Sequence, residues 1–229
     1  MTIRPLLAAG AALGTLAFAA PASASCADLL NLPVEGGRVT AASVVAAGGF
    51  EQPRAPGAPP GVGAGAYGDV PAFCRIEVTL TPTPTSDIRS EIWLPVTGWN
   101  GRYVGIGNGI WAGQISYSQM AAPLRRGYAT ASTNAGHSGS GLTGAFAIGQ
   151  PEKLVDFGHR AVHLTTQAAK GAVRAFYGRA PEFSLWNSCS TGGRQGLMAA
   201  YRYPEDFDAI GAMAPANPMT DLMTQTMWQ

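Results

Sequence analysis

Runs of hydrophobic residues divide the middle of the chain into short strands and a helix. Residues 74–80 and 88–95 alternate between apolar and polar side chains, and the turn-rich stretch between them predicts a β-hairpin. Residues 102–107 and 128–133 are short apolar runs typical of buried strands, and the segment between them, around 114–126, has helical character. The predicted order in this part is therefore hairpin, strand, helix, strand.

The last third of the chain continues this alternation. Residues 156–177 form the longest predicted helix, because an apolar stripe runs along them and Gly178 follows as a C-terminal stop. The stripe consists of Val162, Ala169, Val173 and Phe176. A strand, a helix and a short buried strand are predicted next, at 183–187, 191–201 and 209–214. Such alternation is typical of an α/β fold with a mostly parallel sheet, where sites form at the carboxyl ends of the strands.

The first 24 residues have the pattern of a secretory signal peptide. Arg4 precedes an apolar run from Leu6 to Ala20, and small residues follow it, so we expect cleavage after Ala24. The alternative is lipidation at Cys26. We expect the mature protein to be soluble, without a membrane partner, and secreted or periplasmic, because this run is too short to span a bilayer comfortably.

The residues after the signal form an N-terminal arm, 25–71, ahead of the first predicted strand. Its second half, 52–71, is rich in proline and glycine and predicts an irregular surface segment. The whole chain of 229 residues is 46% hydrophobic and 13% charged, which is the profile of one globular domain. Its formal net charge is +1 and no Lys/Arg block stands out, so we expect no nucleic-acid partner.

Export makes disulfide bonds possible, and the chain has three cysteines. The simplest pairing joins Cys26 to Cys74 and ties the mature N-terminus to the first predicted strand. Cys189 then has no partner among the 229 residues. Either its partner belongs to a missing segment, or Cys189 is a buried free thiol.

A serine at 190 stands where the strand 183–187 turns into the helix 191–201. Gly-x-Ser-x-Gly is the usual pattern of a nucleophile elbow, and the sequence has Ser188-Cys189-Ser190-Thr191-Gly192 at this place. The pair Gly192-Gly193 allows the helix to approach the sheet closely beneath Ser190. The alternative is that Ser190 only caps the helix, since serine is a favoured N-cap residue.

A serine nucleophile needs a base and two donors for the oxyanion. The candidate donors are the backbone N–H of Thr191 and an N–H of the glycine-rich loop 107–113, for which Gly109 is the candidate; an ordinary glycine turn is the alternative. The base is missing from the expected place, because no histidine follows Ser190. The three histidines precede the serine: His137 follows a strand end and could line the cleft, whereas surface or packing roles are expected for His159 and His163.

The segment Cys-Ser-Thr-Gly-Gly-Arg-Gln-Gly at 189–196 resembles the tannase and feruloyl esterase family. Further segments that resemble this family are Trp99-Asn100-Gly101-Arg102, Gly107-Asn108-Gly109, Gly127-Tyr128-Ala129, Thr133-Asn134-Ala135-Gly136-His137, Asp156-Phe157-Gly158, Tyr203-Pro204-Glu205-Asp206-Phe207-Asp208 and Ala214-Pro215-Ala216. One departure is Ser188, where the family often has glycine.

The resemblance implies an α/β-hydrolase with a large lid inserted after the strand 209–214. It implies that Ser190 is the nucleophile and that Cys189 bonds a cysteine next to the catalytic histidine. The acid, the histidine and a calcium site in the lid are then expected downstream, with no metal or cofactor site in the present chain. Residues 72–217 are accordingly expected to be the N-terminal part of the catalytic domain and 218–229 the start of the lid, so that the fold is incomplete, lacking lid and C-terminal strands.

The resemblance also implies the substrate class, small-molecule esters of phenolic aromatic acids such as ferulate and gallate. We therefore expect a secreted serine carboxylesterase that forms an acyl-enzyme on Ser190, and we expect the 229 residues alone to be inactive. The alternatives are a catalytically inactive secreted remnant or binding module, and a different serine hydrolase such as a lipase or a peptidase.

Overall fold

A computed structural model describes residues 23–53, 65–139 and 141–227, and the fold is given for these ranges. Most of the predicted signal peptide and residues 54–64 of the proline- and glycine-rich segment lie outside them. The strands are β1 (Pro33–Val34), β2 (Gly37–Val45), β3 (Phe73–Leu80), β4 (Ile88–Pro95), β5 (Arg102–Ile106), β6 (Ala129–Thr133), β7 (Phe183–Cys189) and β8 (Ala209–Met213). The helices are α1 (Tyr117–Leu124), α2 (Pro151–Val155), α3 (Ala161–Tyr177), α4 (Thr191–Arg202) and α5 (Met219–Met227), with 3₁₀ turns at Ala27–Asn31 and Ala145–Ala147 and a π-helical turn at Asp156–Arg160.

The described strands form one sheet in the order β1-β2-β3-β4-β6-β5-β7-β8. From β1 to β4, and between β4 and β6, neighbouring strands are antiparallel, whereas the β6-β5-β7-β8 part is parallel. The difference follows from the connections, because short turns join β1 to β2 and β3 to β4, whereas helices α1, α3 and α4 join the later strands. The sheet is thus mixed, and the predicted parallel arrangement describes its C-terminal half.

Two hydrophobic clusters cover the two faces of this sheet. Helices α3 and α4 pack on one face, against residues such as Ile92 of β4 and Tyr103 of β5. The other face carries α1 together with Phe50 and Tyr67 from the N-terminal arm. In β3 and β4 alternate residues point to opposite clusters, which is the period-two pattern from which these strands were predicted.

The N-terminal arm is more ordered than its composition predicts. Its first half contains β2, a nine-residue strand that pairs antiparallel with β3 and extends the sheet. The described ends of the proline- and glycine-rich segment are irregular, as predicted, but Tyr67 and Val70 are buried and so do not belong to a surface segment. The disulfide Cys26–Cys74 is present and ties the start of the arm to β3, which confirms the predicted pairing.

The long predicted helix exists, but it begins earlier and is not uniform. Helix α2 starts at Pro151, a π-helical turn follows, and α3 continues to Tyr177, where Gly178 adopts a left-handed φ of 71° as the predicted stop. In the described part of the chain, none of the helices combines the length and the hydrophobicity that crossing a bilayer requires.

Strand β8 is present where it was predicted but is not buried. Its residues alternate between exposed and half-buried, and the exposed set includes Met213. The reason is that, within the described ranges, β8 pairs with β7 on one side and is covered on one face, by α4. Residues 218–229, predicted as the start of a lid, contain α5 within their described part.

Candidate active site

Backbone strain marks the carboxyl edge of the parallel strands as the functional region. In the described residues the non-glycine positions with positive φ are Ile110, Ala135, Ser190 and Ala214, and they follow β5, β6, β7 and β8 respectively. A positive φ costs a residue with a Cβ about 1 kcal/mol or more, and such residues cluster at active sites. The strain thus points to the edge that the sequence pattern indicated.

Ser190 has the geometry of a nucleophile elbow. It lies directly between β7 and α4 with φ 57° and ψ −122°, a sharp turn that leaves its side chain exposed. Its backbone is fixed on both sides, because its N–H donates to the Met213 carbonyl and its carbonyl accepts from the Ala216 N–H, each at 3.0 Å. The hydroxyl makes no capping hydrogen bond to α4, so the alternative in which Ser190 serves as a helix cap does not hold.

The N-terminus of α4 presents free donors beside this hydroxyl. Thr191 is the first residue of the helix, and the first N–H groups of a helix have no intrahelical acceptor. The helix also places its partial positive charge at this end. The backbone N–H of Thr191 is therefore suited to stabilise negative charge that develops next to Ser190.

The glycine-rich loop 107–113 lies against the elbow, and hydrogen bonds hold it there. The Gly107 N–H donates to Ser188 Oγ at 3.2 Å, and the Asn108 N–H donates to Gln195 Oε1 at 3.0 Å. The Gln195 amide in turn donates to Asn108 Oδ1 at 2.9 Å. Because the partners Ser188 and Gln195 belong to β7 and α4, the loop and Ser190 are held as one unit.

The middle of this loop is held by the residue next to the nucleophile. Thr191 Oγ1 donates to the Ile110 carbonyl at 2.8 Å, and Ile110 is one of the strained residues. Gly109, the predicted donor, is exposed, and a Cβ added to it would meet no atom within 4 Å. This open space beside a fixed peptide group is consistent with a place for a substrate carbonyl oxygen.

Close packing beneath the elbow explains three of the glycines. A Cβ at Gly192 would overlap Ser188 Oγ and lie 2.6 Å from Ser188 Cβ, and a Cβ at Gly107 would lie 2.5 Å from Gly192 Cα. Gly193 likewise has the Met213 carbonyl oxygen 2.6 Å from the place of a Cβ. The predicted role of Gly192 and Gly193 in bringing helix and sheet together is therefore supported by the geometry.

None of the histidines is placed to activate Ser190. His137 is buried and its Nε2 lies 2.7 Å from the Trp111 carbonyl oxygen, so it supports the glycine-rich loop instead of lining an open cleft. His159 Nδ1 lies 2.7 Å from the Tyr203 hydroxyl, and His163 Nδ1 lies 2.9 Å from Asp206 Oδ2. The packing roles predicted for these last two agree with their contacts.

Three contributors to the site had no role in the sequence prediction. Ser188 appeared as a departure from a glycine, yet its hydroxyl accepts a hydrogen bond from the loop. Asn108 and Gln195 form reciprocal hydrogen bonds between the loop and α4. In the sequence, Asn108 and Gln195 stand out only as amide residues within motifs that are otherwise rich in glycine.

Cys189 is a free and exposed thiol beside Ser190, so the alternative of a buried thiol is wrong. It borders a depression of about 310 Å³ between α1 and the ends of the strands, together with Ile106, Asn187 and Met213. In residues 23–53, 65–139 and 141–227 no three His, Cys, Asp or Glu side chains gather to hold a metal ion. The described residues therefore offer no donor set for the calcium ion that the resemblance assigns to a lid.

A family described as tannase and feruloyl esterase matches residues 74–229. The chain is 40% identical over 226 residues to an uncharacterized esterase of Xanthomonas campestris pv. campestris, an alignment that covers 99% of the chain and 38% of that protein.

Two solved structures are also similar. Feruloyl esterase B from Aspergillus oryzae superimposes with a TM-score of 0.70 and 34% identity, covering 80% of this chain and 35% of its own. An esterase from Aspergillus oryzae superimposes with a TM-score of 0.76 and 32% identity, covering 88% and 39%. The chain therefore spans between a third and two fifths of the length of these proteins.

Proposed function

The chain belongs to the tannase and feruloyl esterase family, and from this premise we propose that it carries the nucleophile and the oxyanion donors of a secreted serine carboxylesterase. The observation that carries the proposal is the elbow at Ser190, a positive-φ serine between β7 and α4 whose hydroxyl caps nothing. Its place at the carboxyl edge of an α/β-hydrolase sheet is that of a nucleophile.

In the proposed reaction Ser190 Oγ attacks the carbonyl carbon of an ester, and its proton passes to a base. The carbonyl oxygen becomes an oxyanion, which the N–H groups of Thr191 and Gly109 stabilise. Collapse of this intermediate breaks the bond to the alcohol, which leaves with the proton from the base. Water then attacks the acyl-enzyme in the same way and releases the acid and the Ser190 hydroxyl.

The base and the acid that orients it are proposed to come from polypeptide beyond these 229 residues. This is supported by the contacts of the three histidines, each of which has another partner, and by the larger size of the relatives. Cys189, exposed and next to the nucleophile, is proposed to form a disulfide with a cysteine of that same segment.

The proposed substrates are esters of phenolic aromatic acids, with feruloyl or galloyl groups. Support comes from the similarity to feruloyl esterase B over four fifths of the chain. Export is proposed from the N-terminal sequence and is supported by the Cys26–Cys74 disulfide, since such bonds persist in oxidising compartments. A fusion of residues 1–53 to alkaline phosphatase tests export, because the phosphatase is active only outside the cytoplasm.

The decisive experiment uses the extended polypeptide, obtained by reading the encoding DNA past Gln229. We expect an Asp and then a His-Cys pair in the open frame, fluorophosphonate labelling that Ser190→Ala abolishes, and hydrolysis of methyl ferulate or methyl gallate. Residues 25–229 alone should give no turnover. A frame without a histidine would favour the inactive remnant, and labelling at Ser190 without activity on either ester would favour a different serine hydrolase.

A further inference from the structure

The glycine-rich loop is also held by residues outside the elbow: the Asn108 side-chain amide donates to the Thr133 carbonyl at 2.8 Å, and the Trp111 N–H donates to the Gly141 carbonyl at 3.3 Å. Its first residues bond to Ser188 and Gln195, and its middle bonds to Thr191, all of which belong to β7 and α4. The carbonyl of Trp111, directly after Ile110, instead lies 2.7 Å from Nε2 of His137, which belongs to the turn after β6.

The surroundings of His137 fix its ring. It stacks on Phe146 with ring centroids 3.6 Å apart and planes 10° from parallel, and it meets the edge of Phe157 at 5.7 Å. Gly113 leaves room for it, because a Cβ there would lie 2.6 Å from the ring Cδ2. Only 5% of His137 is exposed, so the ring cannot turn to another partner without disrupting this packing.

The hydrogen-bonding pattern fixes the tautomer as well. A carbonyl oxygen only accepts, so Nε2 carries the proton that is donated to Trp111. Nδ1 is buried and has no hydrogen-bond partner among the described residues. Burial is the largest influence on the pKa of His137 and lowers it, which keeps the ring neutral.

The same aromatic cluster reaches back to α4. Phe157 contacts Trp111 at 5.3 Å between ring centroids, and the Arg194 guanidinium lies over Phe157 at 5.1 Å. Arg194 also donates to the carbonyls of Phe157 and Gly158, which lie in the π-helical turn. Phe157 therefore contacts both the ring of His137 and Arg194 of α4, the helix that follows Ser190.

We propose that His137 is a positioning residue for the reaction proposed above: its Nε2–H orients the Trp111 carbonyl and thereby holds the peptide groups of the glycine-rich loop in place beside Ser190. This inference rests on the proposed function. The loop contributes to oxyanion binding and only weakly to substrate affinity, so loss of the donor lowers kcat and leaves KM nearly unchanged.

The test compares three variants of the extended polypeptide with the wild type. His137→Phe keeps the stacking and removes the donor, and we expect it to lower kcat about 10- to 100-fold with KM within about 3-fold. His137→Gln, whose amide can donate, should recover part of this loss. His159→Phe is the matched control: His159 contacts the Tyr203 hydroxyl and not the glycine-rich loop, so this variant should keep wild-type kcat.

A wild-type kcat in His137→Phe overturns the proposal, as does an equal loss in His159→Phe. Should the His137 variants not fold, ¹⁵N NMR of histidine-labelled wild type decides: we expect Nε2 protonated and Nδ1 unprotonated at pH 7.5, and the opposite tautomer or a charged ring overturns the proposal. Fluorophosphonate labelling at Ser190 separates the two proposals. Without labelling of the wild type the proposed function fails, whereas labelling combined with full activity of His137→Phe removes only the role of His137.

Discussion

Ser188 and Gly192 compete for one small space beneath the elbow. The Ser188 side chain fills the volume that a Cβ at 192 would need, and its hydroxyl uses that position to accept from the Gly107 N–H. The serine is therefore tolerated because residue 192 is glycine, and the two positions are energetically coupled.

We expect Gly192→Ala to destabilise the fold by about 3 kcal/mol, because overpacking at a site that cannot relax is costly. The double variant Ser188→Gly/Gly192→Ala should recover most of that loss, since the nearest remaining atom is then the Asn108 carbonyl oxygen, at 3.3 Å. Urea unfolding of the two single variants and the double variant measures the coupling.

Gly171→Ala is the matched control for this cycle. Gly171 lies inside α3, where a Cβ would meet nothing within 4 Å, so the substitution should stabilise by about 0.5–1 kcal/mol. Additive effects of the substitutions at 188 and 192 would contradict the proposed competition.

Two histidines make stability depend on pH. Burial is the largest influence on the pKa of both His137 and His159 and lowers it in the folded state. Above the unfolded pKa of about 6.5 both residues are neutral in either state and add no pH dependence. As pH falls below 6.5, these two histidines bind protons in the unfolded chain but remain neutral in the folded chain. The free energy of unfolding should therefore fall.

Urea midpoints at pH 7.5, 6.5 and 5.5 test this prediction. The decrease should lie between pH 6.5 and the lower folded-state pKa values, and His159→Phe should make it smaller. A midpoint that is constant or rises as the pH falls over this window would show that burial does not govern these two groups.

At the residue scale the sequence indicated Ser190, Thr191 and Gly109, because a hydroxyl and small residues at a strand–helix junction form a local pattern. It did not indicate the hydrogen bonds from Gly107 and Asn108 to Ser188 and Gln195, since these partners are 81 and 87 residues apart. Contacts at such separations depend on how the strands are ordered in the sheet, which periodicity does not encode.

At the scale of elements, the Cys26–Cys74 disulfide holds the arm against the sheet. It spans 48 residues, including β2. Closing a loop of this length lowers the entropy of the unfolded chain, and we expect Cys26→Ala/Cys74→Ala to cost about 4 kcal/mol. Cys189→Ala, which removes an exposed free thiol, should leave the urea midpoint unchanged. Equal midpoints for the double variant and the wild type would contradict the prediction.

Strands with a clear period of two or a continuous apolar run were predicted, whereas β2, which has neither pattern, was not. In β3, alternate residues are fully buried, whereas β2 has a single fully buried residue, Val39, and no alternation. The π-helical turn between α2 and α3 was missed for a different reason, because it changes the hydrogen-bond spacing without interrupting the polar and apolar pattern. Strand order, with β6 placed between β4 and β5, likewise has no local signal.

At the scale of the whole molecule, the face of β7 and β8 opposite α4 is bare in the described part of the chain. Over β7 and β8 the exposed side chains include Phe183, Cys189 and Met213, and β8 pairs on one side only in the described residues. An unpaired strand edge next to exposed apolar side chains promotes association.

We therefore expect residues 25–229, expressed alone, to associate. Met213→Lys should raise the monomer fraction, because it puts a charge on the bare face beside the free edge. Leu154→Lys, at a similarly exposed position on helix α2 and not on a strand edge, is the control and should change little. Size exclusion with light scattering gives the result, and a wild-type monomer with a cooperative melt would contradict the expectation.

The hydrogen bonds that hold the elbow and its loop all join residues between 107 and 216. During synthesis on the ribosome, these residues leave the exit tunnel before anything that follows them. The elbow can consequently form in the nascent chain before later residues are made. If the base follows Gln229, as proposed, the order of synthesis keeps Ser190 unactivated until that segment arrives.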